Sequence, residues 1–320
     1  MKRLIILSAA ACLLLPAGEA RSRDQGEAVR TEFPELKGEY FGQLKPGPKA
    51  EPFAVQVLSA RSDHYIRSIT FSPDGTEAYW PVIDLNDNYR RWIVGSRMVE
   101  GTWMRPELAP FSKKGYEDDV PCISPGGDKL LFISRRPLKQ GDAVGKENIW
   151  IMTRDGEGWS DPVPLPEAVN ALYTIHQQVS LDGEDNLYFS GEGPGGYGEL
   201  DIYCSRYADG EYQQPKNLGP VINGPEGDYT PFIGADGSYL IFTRNIGERW
   251  TLLISFRDRD GAWTSPADLR EIIEGVAGMD LGNPFVTHDG RYLIFFGERD
   301  GGITPFWTDT SFIEELRDKR

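Results

Sequence analysis

Apolar and polar positions alternate along most of this chain in short runs, and the runs recur. In "ITFSPDGTEAYW" (69–80), β-branched and aromatic residues flank Ser-Pro-Asp-Gly. Pro73 presets φ for the first corner of a type I turn, and Gly75 can take the left-handed conformation that doubles the chain back, so the stretch predicts a β-hairpin. The same frame returns at "CISPGGDKLLF" (122–132), "VSLDGEDNLYF" (179–189), "FIGADGSYLIF" (232–242) and "FVTHDGRYLIF" (285–295). After a variable loop each copy continues into a third extended run: "RRWIVGSRM", "NIWIMTRD", "LDIYCSRY", "TLLISFRD" and "TPFWTDTS". Alternating polar and β-branched or aromatic residues predict strands there too.

Four of the five copies then meet a tight turn, Glu100-Gly101, Asp155-Gly156, Asp209-Gly210 or Asp260-Gly261, a strong hairpin signal. A fourth run follows, with an aromatic residue three positions before a proline: Trp103 and Pro106, Trp159 and Pro162, Tyr212 and Pro215, Trp263 and Pro266. Proline cannot serve a ladder on both sides, which places this run at a sheet edge. A four-stranded antiparallel unit repeated about every 53 residues predicts a β-propeller, because one small twisted sheet leaves two apolar faces open and radial stacking covers both. The expected fold is therefore all-β, a propeller of five four-stranded blades, with six left open. The last copy ends at "FWTDTSFIEELRDKR" without a fourth strand, and the unpaired run "EPFAVQVLS" (51–59) fits the vacancy. Closure of the ring by this N-terminal strand follows, with residues 51–320 as the propeller domain and 21–50 as a tail or strap. The trailing "SFIEELRDK" predicts a short helical turn capping the ring.

The stretch "GGYGELDIYCSRYADGEYQQPKNLGPVINGPEGDYTPFIGADGSYLIF" (195–242) resembles the WD40-like propeller repeat of TolB-type exported bacterial proteins, in which a Ser-Pro-Asp-Gly turn opens each blade and an "Asp-Ile-Tyr" strand follows. The resemblance covers residues 60 to 316. It implies the fold and leaves the function open, since this architecture hosts binding scaffolds, protease gating domains and polysaccharide-cleaving enzymes. TolB propellers have six blades of shorter repeat, whereas five copies are counted here.

Composition adds compartment and charge. "MKRLIILSAAACLLLPAGEA" (1–20) has two basic residues, an apolar run and a small-residue ending, the layout of a secretory signal cleaved near Ala20. A lipoprotein reading would anchor Cys12 instead. The mature chain is expected in the periplasm or secreted, as a monomer without a membrane span. Removing Lys2, Arg3 and Glu19 takes the formal net charge from −15 to −16, which argues against nucleic acid and anionic membrane surfaces as partners. Cys122 and Cys204 then remain; both read as buried thiols, with a disulfide left open by the oxidising compartment.

Antiparallel order puts the Pro-Asp-Gly and Asp-Gly turns at one end of the ring and the longer, uneven loops at the other, where function is expected. The loops leading into the inner strands, "SDHYIRS", "YEDDVP", "YTIHQQ", "EGDYTP" and "MDLGNP", would bring Asp63, His64, Arg67, Glu117, Asp118, Asp119, His176, Glu226, Asp228, Asp280 and Asn283 to the channel mouth. The second strands end on Arg135, Arg136, Glu192, Arg244, Glu298 and Arg299. These residues admit three readings: a solvated polar rim, a mixed-sign site for a peptide, glycan or envelope protein, and a catalytic site. Binding is favoured, by His64, Arg67, Glu117, Asp118, Arg135, His176, Glu192, Glu226, Arg244, Asn283 and Glu298, with Tyr65, Tyr116, Tyr173, Tyr197 and Tyr229 offering amphipathic contact area. The alternative is a glycoside hydrolase or lyase in which Asp119, Asp228 and Asp280 supply acid and base to a glycosidic bond.

Metal motifs are absent from the sequence: there is no Cys-x-x-Cys pair and no His-Glu-x-x-His. No cofactor is expected, although His64 among carboxylates leaves Ca²⁺ or Zn²⁺ open. His288 replaces the proline of a repeat turn and reads as an exposed turn residue. "GEGPGG" (191–196) lacks the strand-to-helix context and the lysine of a phosphate loop and reads as a flexible connector. No Gly-x-Ser-x-Gly elbow supports a serine hydrolase.

Overall fold

Each repeat folds into one twisted antiparallel sheet, and five such sheets form a five-bladed propeller in the computed structural model, which describes residues 33–58, 64–139, 143–172, 178–299 and 302–318. The expected signal peptide, residues 21–32 of the tail, Asp63, Tyr173 and His176 lie outside the described residues. The chain divides into Met1–Glu35, whose described residues 33–35 carry no helix or strand, and the unit Leu36–Arg320, which holds everything below.

The second blade shows the plan. Its strands Asp119–Ile123, Lys129–Ser134 and Asn148–Asp155 run from the axis outwards, and the outermost strand comes in two pieces, Gly158–Trp159 and Val163–Pro164. The register sets Phe132 opposite Trp150 and Ile133 opposite Ile149. Every complete blade breaks its outer strand where the aromatic-x-x-Pro signature predicts an edge. In the first blade, Thr102–Trp103 and Glu107–Leu108 flank Pro106. In the third, Glu211–Tyr212 and Lys216–Asn217 flank Pro215. The hairpin turns also form as read: Gly75, Gly127, Gly237 and Gly290 all hold φ between 68° and 73°. Glu100-Gly101 and Asp209-Gly210 are positive at both residues, the signature of a type I′ turn.

The inner strands carry a feature absent from the pattern. A register shift falls at the same place in three blades, between Asp119 and Cys122, Tyr229 and Phe232, and Gly282 and Phe285. Each contains a left-handed residue followed by proline: Val120 (φ 41°), Thr230 (φ 46°) and Asn283 (φ 53°). The bulge absorbs a proline that has no N–H to give the ladder and turns the strand as it nears the axis. Side chains then stitch neighbouring inner strands. Thr70 Oγ1 accepts from Ile123 N at 3.0 Å, and Ser180 Oγ accepts from Ile233 N at 3.1 Å.

Between blades the core is apolar. Ile93, Phe132 and Trp150 pack between the first and second, Leu131, Val179 and Phe189 between the second and third, Tyr188, Ile233 and Phe242 between the third and fourth, and Ile254, Leu281 and Phe295 between the fourth and fifth. The C-terminal helix Ser311–Asp318 buries Ile313 against that last cluster, the cap read from the sequence.

The ring is closed by the N-terminal side of the unit. Glu51–Pro52 pairs with Gly302–Asp309, Glu51 opposite Trp307 and Pro52 opposite Phe306, which completes the fifth blade. The strand is shorter than the run 51–59. Pro52 has no N–H, Ala54 turns left-handed (φ 42°), and Val55–Leu58 is a helical turn that buries Leu58. Residues 36–50 are not loose either. Trp103 N donates to Leu36 O at 2.8 Å on the first blade, and Asp309 N donates to Gly47 O at 2.9 Å on the fifth. Between these anchors Tyr40 and Phe41 enter the seam. Phe41 meets Trp103 at a ring-centroid distance of 4.5 Å, Phe53 meets Trp307 at 4.8 Å and Tyr40 meets Phe71 edge-on at 5.3 Å.

Phe41→Ala is expected to cost about 3–5 kcal/mol, the usual range for a buried Phe. Leu44→Ser, in the same segment but 88% exposed, is expected to stay within about 0.5 kcal/mol of wild type. Urea denaturation of the two variants tests whether the segment before residue 51 locks the ring.

Candidate functional site at the channel mouth

The sheets deliver the predicted residues to the loop-rich end, where they divide into clusters instead of one constellation. The largest lies across the first two blades. Asp119 opens the inner strand of the second blade and is 1% exposed. Its Oδ2 accepts from the guanidinium of Arg67, between the two pieces His64–Tyr65 and Thr70–Phe71 of the first blade's inner strand, and from Arg91 Nη1 at 2.9 Å. Arg91 Nη2 also reaches Glu117 at 3.1 Å and Glu147 at 2.6 Å, and Arg135 lies 3.7 Å from Glu117. Burial pushes the Asp119 carboxyl up, but Arg67 and Arg91 outweigh it and hold the group below the usual carboxylate range. Two guanidinium nitrogens, Nε of Arg67 and Nε of Arg91, are buried without a hydrogen-bond partner.

Asp118 points the other way. Its Oδ1 accepts from Arg136 at 2.8 Å, and its Oδ2 accepts from Ser112 Oγ and Lys113 N, each at 2.9 Å. The fourth blade repeats this latch. Asp228, 0% exposed, accepts from Arg244 Nε at 2.7 Å and from Gly224 N at 2.8 Å. Arg136 reaches on to Phe111 O and Arg244 to Ile222 O, so each pair ties an inner strand to the connection from the preceding blade. Burial of Asp228 raises its carboxyl to about 6 against the pull of Arg244. Asp280 accepts from Arg249 Nε at 2.8 Å, and Glu298 lies opposite it in register, pushed up by burial and by the Asp280 charge.

The remaining predicted residues are dispersed. Asn283 is buried in the channel and donates to Gln178 Oε1 at 3.3 Å, while Gln178 donates to Pro284 O at 3.0 Å. His64 and Glu226 are half-buried, and Glu192 is exposed. Arg135 Nε donates to Gly145 O at 2.9 Å. The backbone directly after the glycine-rich stretch 191–196 is held by side-chain and packing contacts. Asp201 accepts from Tyr197 N at 2.8 Å and Gly198 N at 3.2 Å, and a Cβ on Gly198 would meet Glu226 O at 1.7 Å. Among the described residues no three His, Cys, Asp or Glu side chains gather as a metal site. Cys122 and Cys204 are both free thiols.

Three participants escaped the sequence reading: Arg91, Glu147 and Arg249. All stand where a third strand begins, so charged residues at that register were the available signal. A cavity was missed as well. A space of about 60 Å³ lies on the axis towards the short-turn end, with Ser68 and Gln178 at one level and Ile123, Leu181, Ile233 and Val286 as apolar wall. His288 lines it too. Half-buried, its Nε2 sits 3.0 Å from Phe71 O, and desolvation lowers its pKa, so it is not the exposed turn residue expected.

Fold and rim together define a five-bladed β-propeller with an ion-paired channel mouth. No protein-family profile and no curated protein matches the chain. Its fold is similar to that of TolB from Acinetobacter baumannii, at 16% identity and TM-score 0.48, over 78% of this chain and 55% of that one, so the chain spans little more than half of that protein's length. It is similar to the putative TolB from Agrobacterium tumefaciens, at 14% identity and TM-score 0.50, over 77% of this chain and 78% of that one. It is also similar to the catalytic domain of the GH62 α-L-arabinofuranosidase of Coprinopsis cinerea, at 10% identity and TM-score 0.54, over 82% and 96%.

Asp119→Asn is expected to destabilise the fold by about 3 kcal/mol at neutral pH, because it leaves two buried guanidinium groups short of a counter-charge. The lowered folded pKa fixes the sign: the carboxylate's contribution is present above the unfolded value of 3.8 and is lost as pH falls through the lower folded value. Chemical denaturation against pH should therefore show the gap between wild type and variant holding down to about pH 4 and closing only in stronger acid.

Proposed function

We propose that this protein is an exported, non-catalytic binding propeller that holds a peptide, glycan or envelope protein at its loop-rich mouth. One observation carries the reading: each of the three carboxylates best placed for catalysis is engaged by an arginine, Asp119 by Arg67 and Arg91, Asp228 by Arg244 and Asp280 by Arg249. Glycosidic cleavage needs one carboxyl free to protonate the leaving oxygen and another open to water or the sugar. A paired carboxylate held low, such as Asp119, is a poor acid. What remains for a partner is a rigid rim of both charge signs, with Glu192, Glu226, half-exposed Arg135 and exposed Tyr197 as accessible groups. Such a surface favours orientation and specificity over tight apolar burial. Export, a mature start near residue 21 and the division of the chain into strap and propeller belong to the same proposal.

A glycan-cleaving function is the second reading, favoured by Asp228, whose carboxyl near 6 lies in the range of a general acid, and by the fold shared with an arabinofuranosidase. Incubating the purified protein with arabinan and a panel of other polysaccharides separates the two. The expected outcome is no turnover, with saturable binding to a glycan, peptide or envelope component that weakens in Glu226→Lys and with added salt. Turnover by the wild type that falls at least about a hundredfold in Asp228→Asn, the scale of losing a general acid, would replace the binding reading with the enzymatic one.

A further inference from the structure

The repeat supplies its own comparison for a cleft between the third and fourth blades. In the second blade Arg154, near the end of the third strand, stacks over Trp159 with its guanidinium 3.7 Å from the ring centroid and forms an ion pair with Glu77 of the first blade. Two blades on, the same position is Arg257, 4.6 Å over Trp263, with Nη2 donating to Tyr188 Oη of the third blade at 2.9 Å. Tyr188 occupies the repeat position of Tyr79, so the counterpart of Glu77 is Asn186. Asn186 is neutral and already committed: Nδ2 donates to Asp182 Oδ2 at 2.9 Å, and Oδ1 accepts from Tyr207 N at 3.1 Å. Arg257 therefore keeps the stacking platform of its counterpart and lacks the carboxylate. Arg257, an exposed residue, lines a cleft of about 430 Å³ together with Arg206 and Lys216. None of the three bases forms an ion pair among the described residues.

Three acids line the cleft beside the three bases, and two of them are engaged by their own loops. Asp182 spends Oδ1 on the N–H groups of Glu184 and Asn186 and Oδ2 on the Asn186 amide. Asp236 Oδ1 accepts from Ser238 N and Oγ. Glu184 stands exposed at the rim. A guanidinium stacked on Trp263 without a carboxylate partner, two further bases and a volume well beyond a bare anion fit an oxyanion carried on a small polar body. We propose that this cleft binds a small phosphate or sulfate ester of sugar size, its oxyanion seated on Arg257 with Arg206 and Lys216 closing around it. The site lies on the short-turn side of the ring and does not depend on the function proposed for the mouth.

The test is isothermal titration and thermal melting of the mature protein with glucose-6-phosphate, glucose-6-sulfate, inorganic phosphate and glucose. One or both esters should bind saturably and raise the melting temperature, glucose should not bind, and salt should weaken the interaction. Arg257→Gln should weaken ester binding at least about tenfold, the scale of a lost charge-assisted hydrogen bond, while Arg259→Gln, an exposed neighbour, should leave it unchanged. If Arg257→Gln fails to fold, Arg206→Gln and Lys216→Gln, both at exposed positions, carry the test. Equal binding by wild type and the cleft variants, or no binding of either ester at millimolar concentration, would overturn the proposal. Inorganic phosphate binding as tightly as its ester would overturn the sugar-sized body.

Discussion

A propeller built from a single chain must join its last blade to its first, and here that junction is made of aromatic rings. Four of the five interblade interfaces arise from neighbouring repeats packing face to face. The fifth cannot, because its two sheets lie at opposite ends of the sequence. The chain fills it from residues 36–54: the backbone pairs with the first blade at Lys37 and with the fifth at Glu51 and Pro52. Tyr40, Phe41 and Phe53 then pack among Phe71, Trp80, Trp103 and Trp307. Aromatic pairs of this geometry contribute about 0.5–1.5 kcal/mol each beyond the area they bury, so several together offset the entropy of ordering a strap. The geometry at both ends of the channel rests on this junction.

The mouth shows what a five-fold ring does with charge. Inner strands converge, so residues far apart in sequence become neighbours with little room for water. Arg67 and Asp119, 52 positions apart, occupy the same position in adjacent repeats and meet as a buried pair. The Asp118–Arg136 and Asp228–Arg244 latches use the same device inside a blade, each arginine continuing to a carbonyl of the preceding connection. Most of the charge expected to serve a ligand is thus consumed in fixing where the inner strands begin. Asp228 sits at the margin of this economy. With no solvent contact and one guanidinium partner, its ionised form weighs against the fold above pH about 6, and protonation relieves that on the acid side.

The periodic features were legible because local chemistry decides them. Gly75, Gly127, Gly237 and Gly290 adopt the left-handed turn that their frame demands. The prolines after Trp103, Trp159 and Tyr212 split the outer strand where a missing N–H must fall at an edge, and the fourth strand missing from the last repeat pointed to the N-terminal donor. Less legible was anything set by partners one blade away. Tyr40 and Phe41 stood in a stretch read only as a tail or strap, although two adjacent aromatics there were a signal of burial. Asn170 and Asn223 look like ordinary loop residues. In the fold each clamps the backbone of a third-strand isoleucine, Ile149 or Ile202, through both ends of its amide. The bulges at Val120, Thr230 and Asn283 were written as x-Pro in the inner strands, but the sequence alone did not say that the residue before each proline would turn left-handed.

Repetition also separates structure from specialisation without any relative to compare. A position that serves the scaffold should keep the kind of partner it has from blade to blade, as Asp118 and Asp228 do, each paired with an arginine from the neighbouring second strand or just beyond it. A position that has kept the residue and lost the partner carries an unbalanced group that the fold does not explain. Arg154 and Arg257 are such a pair. They share strand position, stacked tryptophan and reach across the interface, and they differ in that one meets Glu77 while the other meets Tyr188 beside a neutral Asn186. The Trp263 ring and the bond to Tyr188 orient Arg257, an exposed residue, without a counter-ion, so part of the ordering that binding requires is already supplied by the fold. In a chain of net charge −15, an arginine without a carboxylate partner stands out, here in a cleft that gathers three bases and three acids, and it lies at the end of the ring opposite the loops where charge was expected to act.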